Sequence, residues 1–262
     1  KAEEHDGCVI IGFASDSENK MEKLRRELAE WCNLMVYGCS AHALNLVEST
    51  ATPEAIMGPI VTISKFFINH HKPAAVLKEL GGLIPQLPNI TRWTSQRATL
   101  ATFIHNYERY GRIVDDERVT IPDSIRDLIN NRRFLSEAKS MLTQLDLVAT
   151  VLNDFQDDTK NLSDCVRGWL SLISNDNISQ DVREAIQLRF RKTVTTRHTL
   201  AYMPDNRIHT EWPQLPSDLA EQARVAIMEM GDEAIHAIAA YEMKDESVYS
   251  KLAFSLTIKE IG

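Results

Sequence analysis

The chain has 262 residues, 44% of them hydrophobic and 25% charged, an ordinary globular composition with enough length to bury a core. Its formal net charge of −8 excludes a whole-surface attraction to nucleic acid, so any such contact has to come from a local basic patch. The longest apolar run, Cys8–Ala14, falls far short of the roughly 20 residues a membrane helix needs, so no membrane partner is expected.

Four cysteines, Cys8, Cys32, Cys39 and Cys165, are too few and too scattered for a disulfide scaffold, which argues for reduced thiols inside the cell. The first residue is Lys1, with no charged-then-apolar leader after it, so the expectation is a segment cut from a longer protein.

Val9 to Ala14 form a short apolar run bounded by polar residues, which predicts a buried strand. Ser15 and Glu18 have the spacing of a capping box and predict a helix start. Met21, Leu24, Leu28 and Trp31 then recur at helical spacing. Leu34 to Tyr37 predict a second strand, ended by Gly38, and Ser40 is placed to cap a helix carrying Ala43, Leu44 and Val47. A β–α–β–α order of this kind requires the two strands to run parallel.

Beyond Pro53 the pattern is almost wholly helical. Ile56, Ile60, Ile63 and Phe67 make one stripe, stopped near Pro73, and Leu100, Phe103, Ile104 and Tyr107 make another. Leu135, Ala138, Leu142, Leu145, Ala149, Leu152 and Phe155 predict a long helix of roughly eight turns. Shorter amphipathic stretches run over 166–173, 182–190, 219–230 and 233–241. Breaks fall at Gly81-Gly82, between Pro85 and Pro88, near Pro122, at Asn175 to Asn177 and between Pro204 and Pro216. The expected division is an α/β segment over 1–52 and a helical segment over 53–262.

Three groups carry candidate chemistry. Asp16 lies just past the first strand, at the carboxyl edge where ligand and metal sites of open parallel sheets gather. A carboxylate there can hold Mg²⁺, and it can equally cap the following helix. Cys39-Ser40-Ala41-His42 is half of a zinc site; His70-His71, His198 and His209 are the remaining donors, and a buried strand-end thiol is the competing reading. Thr91-Arg92-Trp93-Thr94-Ser95 offers a flat ring and a phosphate-binding fork, or a tryptophan anchoring a loop. Basic clusters at Arg132-Arg133, Arg189-Phe190-Arg191-Lys192 and Arg197-His198 are phosphate contacts or solvated helix faces. The absence of G-x-x-x-x-G-K-S/T, G-x-S-x-G and H-E-x-x-H argues against a P-loop nucleotidase, an α/β-hydrolase and a zincin.

Taken in order, these pieces resemble the hAT family of DNA transposases. Ala14-Ser15-Asp16-Ser17-Glu18-Asn19-Lys20-Met21 is similar to that family's strand-end Asp motif. Cys39-Ser40-Ala41-His42-Ala43-Leu44-Asn45-Leu46 matches its C-x-x-H-x-L-N-L element, and Thr91-Arg92-Trp93 its T/S-R-W motif. Leu152 to Lys160 resembles a helix ending in F-x-x-x-T, and His198 to Arg207 the family's A-x-x-L-x-P-R segment with the proline displaced.

The resemblance implies a ribonuclease H-like α/β core interrupted by an all-helical insertion. It also implies an Asp-Asp-Glu triad binding two Mg²⁺ or Mn²⁺ ions for in-line DNA cleavage. Asp16 maps to the second Asp, as metal ligand and catalytic residue; the first Asp and the Glu have no counterpart among the matched motifs. His42 is then a catalytic residue near the scissile phosphate, and Cys39, Arg92 and Trp93 are DNA contacts. The intact protein is expected to be a nuclear homo-oligomer acting on transposon ends. A catalytically dead, transposase-derived DNA- or protein-binding regulator is the alternative.

Overall fold

The computed structural model describes residues 12–16, 18–32, 34–89, 94–205 and 214–242. Helix dominates: among the described residues there are twelve helices and one two-stranded sheet. No helix among them is long and apolar enough to cross a membrane.

The opening pattern folds as its periodicity requires. Strand β1 (Gly12–Ser15) leads into helix α1 (Asn19–Cys32), then strand β2 (Met35–Gly38) and helix α2 (Ser40–Ala51). β1 and β2 are parallel, with Gly12 opposite Met35 and Ser15 opposite Gly38. Val9, Ile10 and Ile11 of the expected strand lie outside the described residues.

Two local starts differ from the sequence expectation. Helix α1 is led by Asp16, whose Oδ1 accepts the Glu18 N–H at 3.1 Å, while the Ser15 hydroxyl faces Arg25 instead. A carboxylate one residue nearer the helix reaches the free amide more readily and suits the positive end of the helix dipole. Ser40 is the first residue of α2, and the preceding Cys39 serves its first turn, its Sγ accepting the His42 N–H at 3.5 Å.

The remaining helices are α3 (Glu54–Asn69), α4 (His71–Glu79), α5 (Ser95–Val114), α6 (Asp123–Asn130), α7 (Arg132–Phe155), α8 (Leu162–Ile173), α9 (Gln180–Thr193), α10 (Thr196–Tyr202), α11 (Ser217–Glu229) and α12 (Asp232–Glu242). Helix α3 ends before the expected stop at Pro73, because His70 is extended; Pro73 sits buried in the first turn of α4, where a missing N–H costs little. Helix α7 has 24 residues, just under seven turns at about 3.6 residues each, rather than eight.

The chain forms two compact units, each gathering segments from both sides of residue 50. Unit 1 comprises 1–44, 151–176 and 186–262, and unit 2 comprises 45–150 and 177–185.

Unit 2 is built around α3, α4, α5 and α6. The Phe67 and Tyr110 rings lie 4.4 Å apart and Phe103 packs beside Tyr110, all essentially excluded from water. Asn106, also buried, holds the loop after α4: its side chain accepts from the Leu83 N–H and donates to the Leu83 carbonyl, each at 2.8 Å. A buried amide satisfied in this way fixes the loop without an orphan group.

Unit 1 carries the sheet. Helix α1 packs on β1 and β2, and α10 packs on α8 and α11. Trp169 of α8 is fully buried between Phe155 and Phe190. Helix α8 starts with a complete capping box in which Asn161 and Asp164 exchange side chain-to-backbone bonds.

Candidate functional site

The parallel strands bring the first two motif elements to one edge. Asp16 follows β1 and Cys39 follows β2, and the Cys39 N–H donates to the Ser15 carbonyl at 2.7 Å, extending the ladder past the last strand residues. Asp16 and the start of α2, with Cys39 and half-buried His42, therefore share the carboxyl edge of the sheet.

A cation reinforces this edge. Arg25 Nη1, from the second turn of α1, donates to the Ser15 hydroxyl and to the Asp16 carbonyl oxygen, each at 2.5 Å. The guanidinium is held there by neutral oxygens, and Arg25 is in no ion pair among the described residues.

Behind the edge lie two groups that the sequence does not place together. Cys39 and Cys165 are free thiols. Burial pushes the Cys165 thiol up to about 11, the Ser40 side chain partly offsetting this, so it stays protonated and unreactive near neutrality. His198 of α10 is fully buried, its ring edge-on to Tyr37 of β2 with centroids 5.5 Å apart. Its Nδ1 meets the Thr195 N–H at 3.2 Å and the Thr195 hydroxyl at 3.0 Å, while Nε2 has no hydrogen-bond partner. Burial lowers its pKa to about 4, so the ring is neutral at pH 7.

The zinc alternative for Cys39 and His42 finds no support in this arrangement. Among the described residues no group of three or more His, Cys, Asp or Glu side chains is placed to hold a metal ion. His70 is occupied locally, stacked on Phe66 with Nδ1 2.8 Å from the Phe66 carbonyl, and His209 lies outside the described residues.

The metal pair implied by the resemblance meets the same test. Asp16 is a single carboxylate with one oxygen committed to the Glu18 amide. The described residues on their own do not fit a two-metal site.

Unit 2 holds an acid strongly perturbed by burial. Glu48 of α2 is 3% exposed, and burial raises its carboxyl to about 7. The backbone N–H groups of Gln96 and Arg97 at the start of α5, with the Arg97 charge, act in the opposite direction. Its Oε1 has no hydrogen-bond partner, and it borders a cleft of about 230 Å³ with Asn45, Pro88, Asn89 and Ser95. Nothing in the sequence marks Glu48, since a glutamate late in an amphipathic helix reads as surface.

Thr91, Arg92 and Trp93 lie outside the described residues. Thr94, which follows them, is left-handed at φ 55°, and its N–H donates to Asn45 Oδ1 at 3.3 Å. That bond ties the start of α5 to the Leu44-Asn45-Leu46 stretch of α2.

No protein-family model matches the chain, and no curated protein matches it significantly.

Proposed function

We propose that the chain is part of a hAT-like DNA transposase and that Asp16 is one metal-binding carboxylate of its strand-cleaving centre. The observation that carries this reading is the shared sheet edge. Asp16 and the Cys39–His42 element, separated by a helix in the chain, stand at neighbouring ends of parallel strands bonded through Cys39 and Ser15. In-line phosphoryl transfer needs converging carboxylates at such an edge, with polar groups beside them to orient the phosphate.

In this reading residues 1–52, with β1, α1, β2 and α2, are part of the ribonuclease H-like core, and 53–262 are the helical insertion, with room near their end for the start of the returning core. In the intact protein Asp16 would contribute one ligand to Mg²⁺ or Mn²⁺, which would supply Lewis-acid chemistry there. His42 orients the phosphate, and Cys39, Arg92 and Trp93 contact DNA. Transposon ends are the substrate, a homo-oligomer is the working form, and the nucleus is the site of action.

The alternative, a catalytically dead DNA- or protein-binding regulator, is favoured by one observation: the Asp16 carboxylate already serves as the lead into α1. The two readings part on one substitution. In the intact protein, Asp16→Asn keeps the Glu18 cap but removes the charge. Loss of Mg²⁺-dependent DNA nicking by about a hundredfold or more supports the transposase reading. Nicking that survives the substitution, or an intact wild-type protein that binds DNA without nicking it, overturns it.

A further inference from the structure

Arg25-Arg26 and Arg189-Phe190-Arg191-Lys192 are more than 160 positions apart in the chain, and none of them belongs to a motif that carries the resemblance. Folding brings them to one place. A groove of about 620 Å³ in unit 1 is lined by Asn19, Glu22, Arg25, Arg26 and Ala29 of α1 and by Val36, Tyr37 and Gly38 of β2. Ala43, Arg189, Lys192, Thr193 and Thr195 complete it.

Four cationic side chains meet one carboxylate there, on a chain whose formal net charge is −8. Arg26 and Lys192 are exposed, and neither is in an ion pair among the described residues. Arg25 is held by the Ser15 and Asp16 oxygens, which fix its position without neutralising it. Like charges gathered from two helices repel one another, and an anion between them reverses that cost.

The shape of the groove selects among anions. A site for one small phosphate concentrates its donors on a point. Here the donors on α1 run from Asn19 to Arg26, about 10 Å at roughly 1.5 Å per residue. That length matches several successive phosphates of one DNA strand, spaced about 3.4 Å along the axis. Asn19 adds an exposed amide, a group that accompanies Arg and Lys on phosphodiester oxygens.

We infer that this groove binds the phosphodiester backbone of DNA, without regard to sequence, through Arg25, Arg26, Arg189 and Lys192. The charge argument stands alone; the choice of DNA rests on the transposase reading above.

The test is salt-dependent binding of a labelled random-sequence duplex to the 262-residue chain, without divalent metal. Arg26→Gln/Lys192→Gln removes two exposed charges from the groove. Arg132→Gln/Arg133→Gln removes two exposed charges elsewhere, and thermal melting verifies that both variants are folded. The groove variant should bind at least about tenfold more weakly at low salt, and its log–log salt slope should shrink by about 0.9 per lost phosphate contact. The control variant should bind as wild type does.

The inference is overturned by wild-type chain that does not bind, or by equal losses in the two variants. It is also overturned by displacement of the duplex with millimolar inorganic phosphate, which would mark a small-anion site. Binding that behaves as expected while Asp16→Asn leaves nicking intact sinks only the transposase reading. Asp16-dependent nicking with groove variants that bind normally sinks only the groove.

Discussion

Thr94 is the only non-glycine residue with positive φ among the described residues. A β-branched side chain in the left-handed region clashes with its own backbone, at a cost of about 1–2 kcal/mol. Asparagine tolerates that region, so Thr94→Asn should raise the unfolding free energy by about 0.5–1 kcal/mol, measured by urea denaturation. An unchanged or lowered value would mean that the threonine side chain stabilises the start of α5 by as much as its backbone is strained. This feature was not legible from sequence. Thr94 there was a residue of the Thr91 to Ser95 stretch, and a dihedral angle has no compositional signal outside glycine and asparagine. Asp16 was legible as a strand-end carboxylate, because strand ends follow from where an apolar run stops. Its bond to Glu18 was one of two readings that spacing leaves open.

At the scale of elements, helical periodicity located α7 but placed its buried face slightly off. Phe134, Ala138, Met141, Leu145, Val148 and Leu152 are buried, whereas Leu135, Leu142 and Phe155 are half-exposed. The apolar face of this helix is broad, and its edges are settled by which neighbours press against it. One such neighbour is α8, which approaches the end of α7 at Gly168. A methyl group on Gly168 would lie 2.5 Å from the Phe155 ring and 2.8 Å from Val151. Helix propensity alone favours alanine over glycine by about 1 kcal/mol. Overpacking here should outweigh it, so that Gly168→Ala destabilises by about 1–2 kcal/mol in urea or thermal melts. A more stable variant would mean that α7 and α8 separate without cost. Short helices escaped the reading altogether: α4, α6 and α10 were not predicted, because nine, eight or seven residues give the period too few turns to register.

For the whole molecule, two buried groups set opposing pH dependences. His198 titrates near 4 when folded against an ordinary 6.5, so the unfolded chain binds the extra proton between those values. Its contribution is therefore present above pH 6.5 and is lost as pH falls towards 4. Glu48 titrates near 7 when folded against 4.5, so the folded chain holds the extra proton in between. Stability from that group is present below pH 4.5 and is lost as pH rises towards 7. Each slope approaches about 1.4 kcal/mol per pH unit, with opposite signs, so the two contributions oppose one another from pH 4.5 to 6.5. Glu48→Gln should expose stability that rises with pH, and His198→Phe stability that falls with pH, in denaturant titrations across that window. Identical profiles for both variants would show that neither group titrates as its burial requires.

The sequence by itself determined the β–α–β–α opening, the parallel pairing and the helical character of the rest, because hydrophobic period and strand connectivity are local properties of the chain. It also indicated the edge occupied by Asp16, Cys39 and His42, since the residue after a parallel strand stands at its carboxyl end. Tertiary structure alone decided what surrounds that edge. Arg25 on the Asp16 carbonyl, His198 under Tyr37, Cys165 behind Ser40 and Lys192 across from Arg26 join segments that no period or motif links. Burial, a neighbour's charge and the absence of a hydrogen-bond partner are relations between distant residues, and they come into existence only when the chain closes on itself.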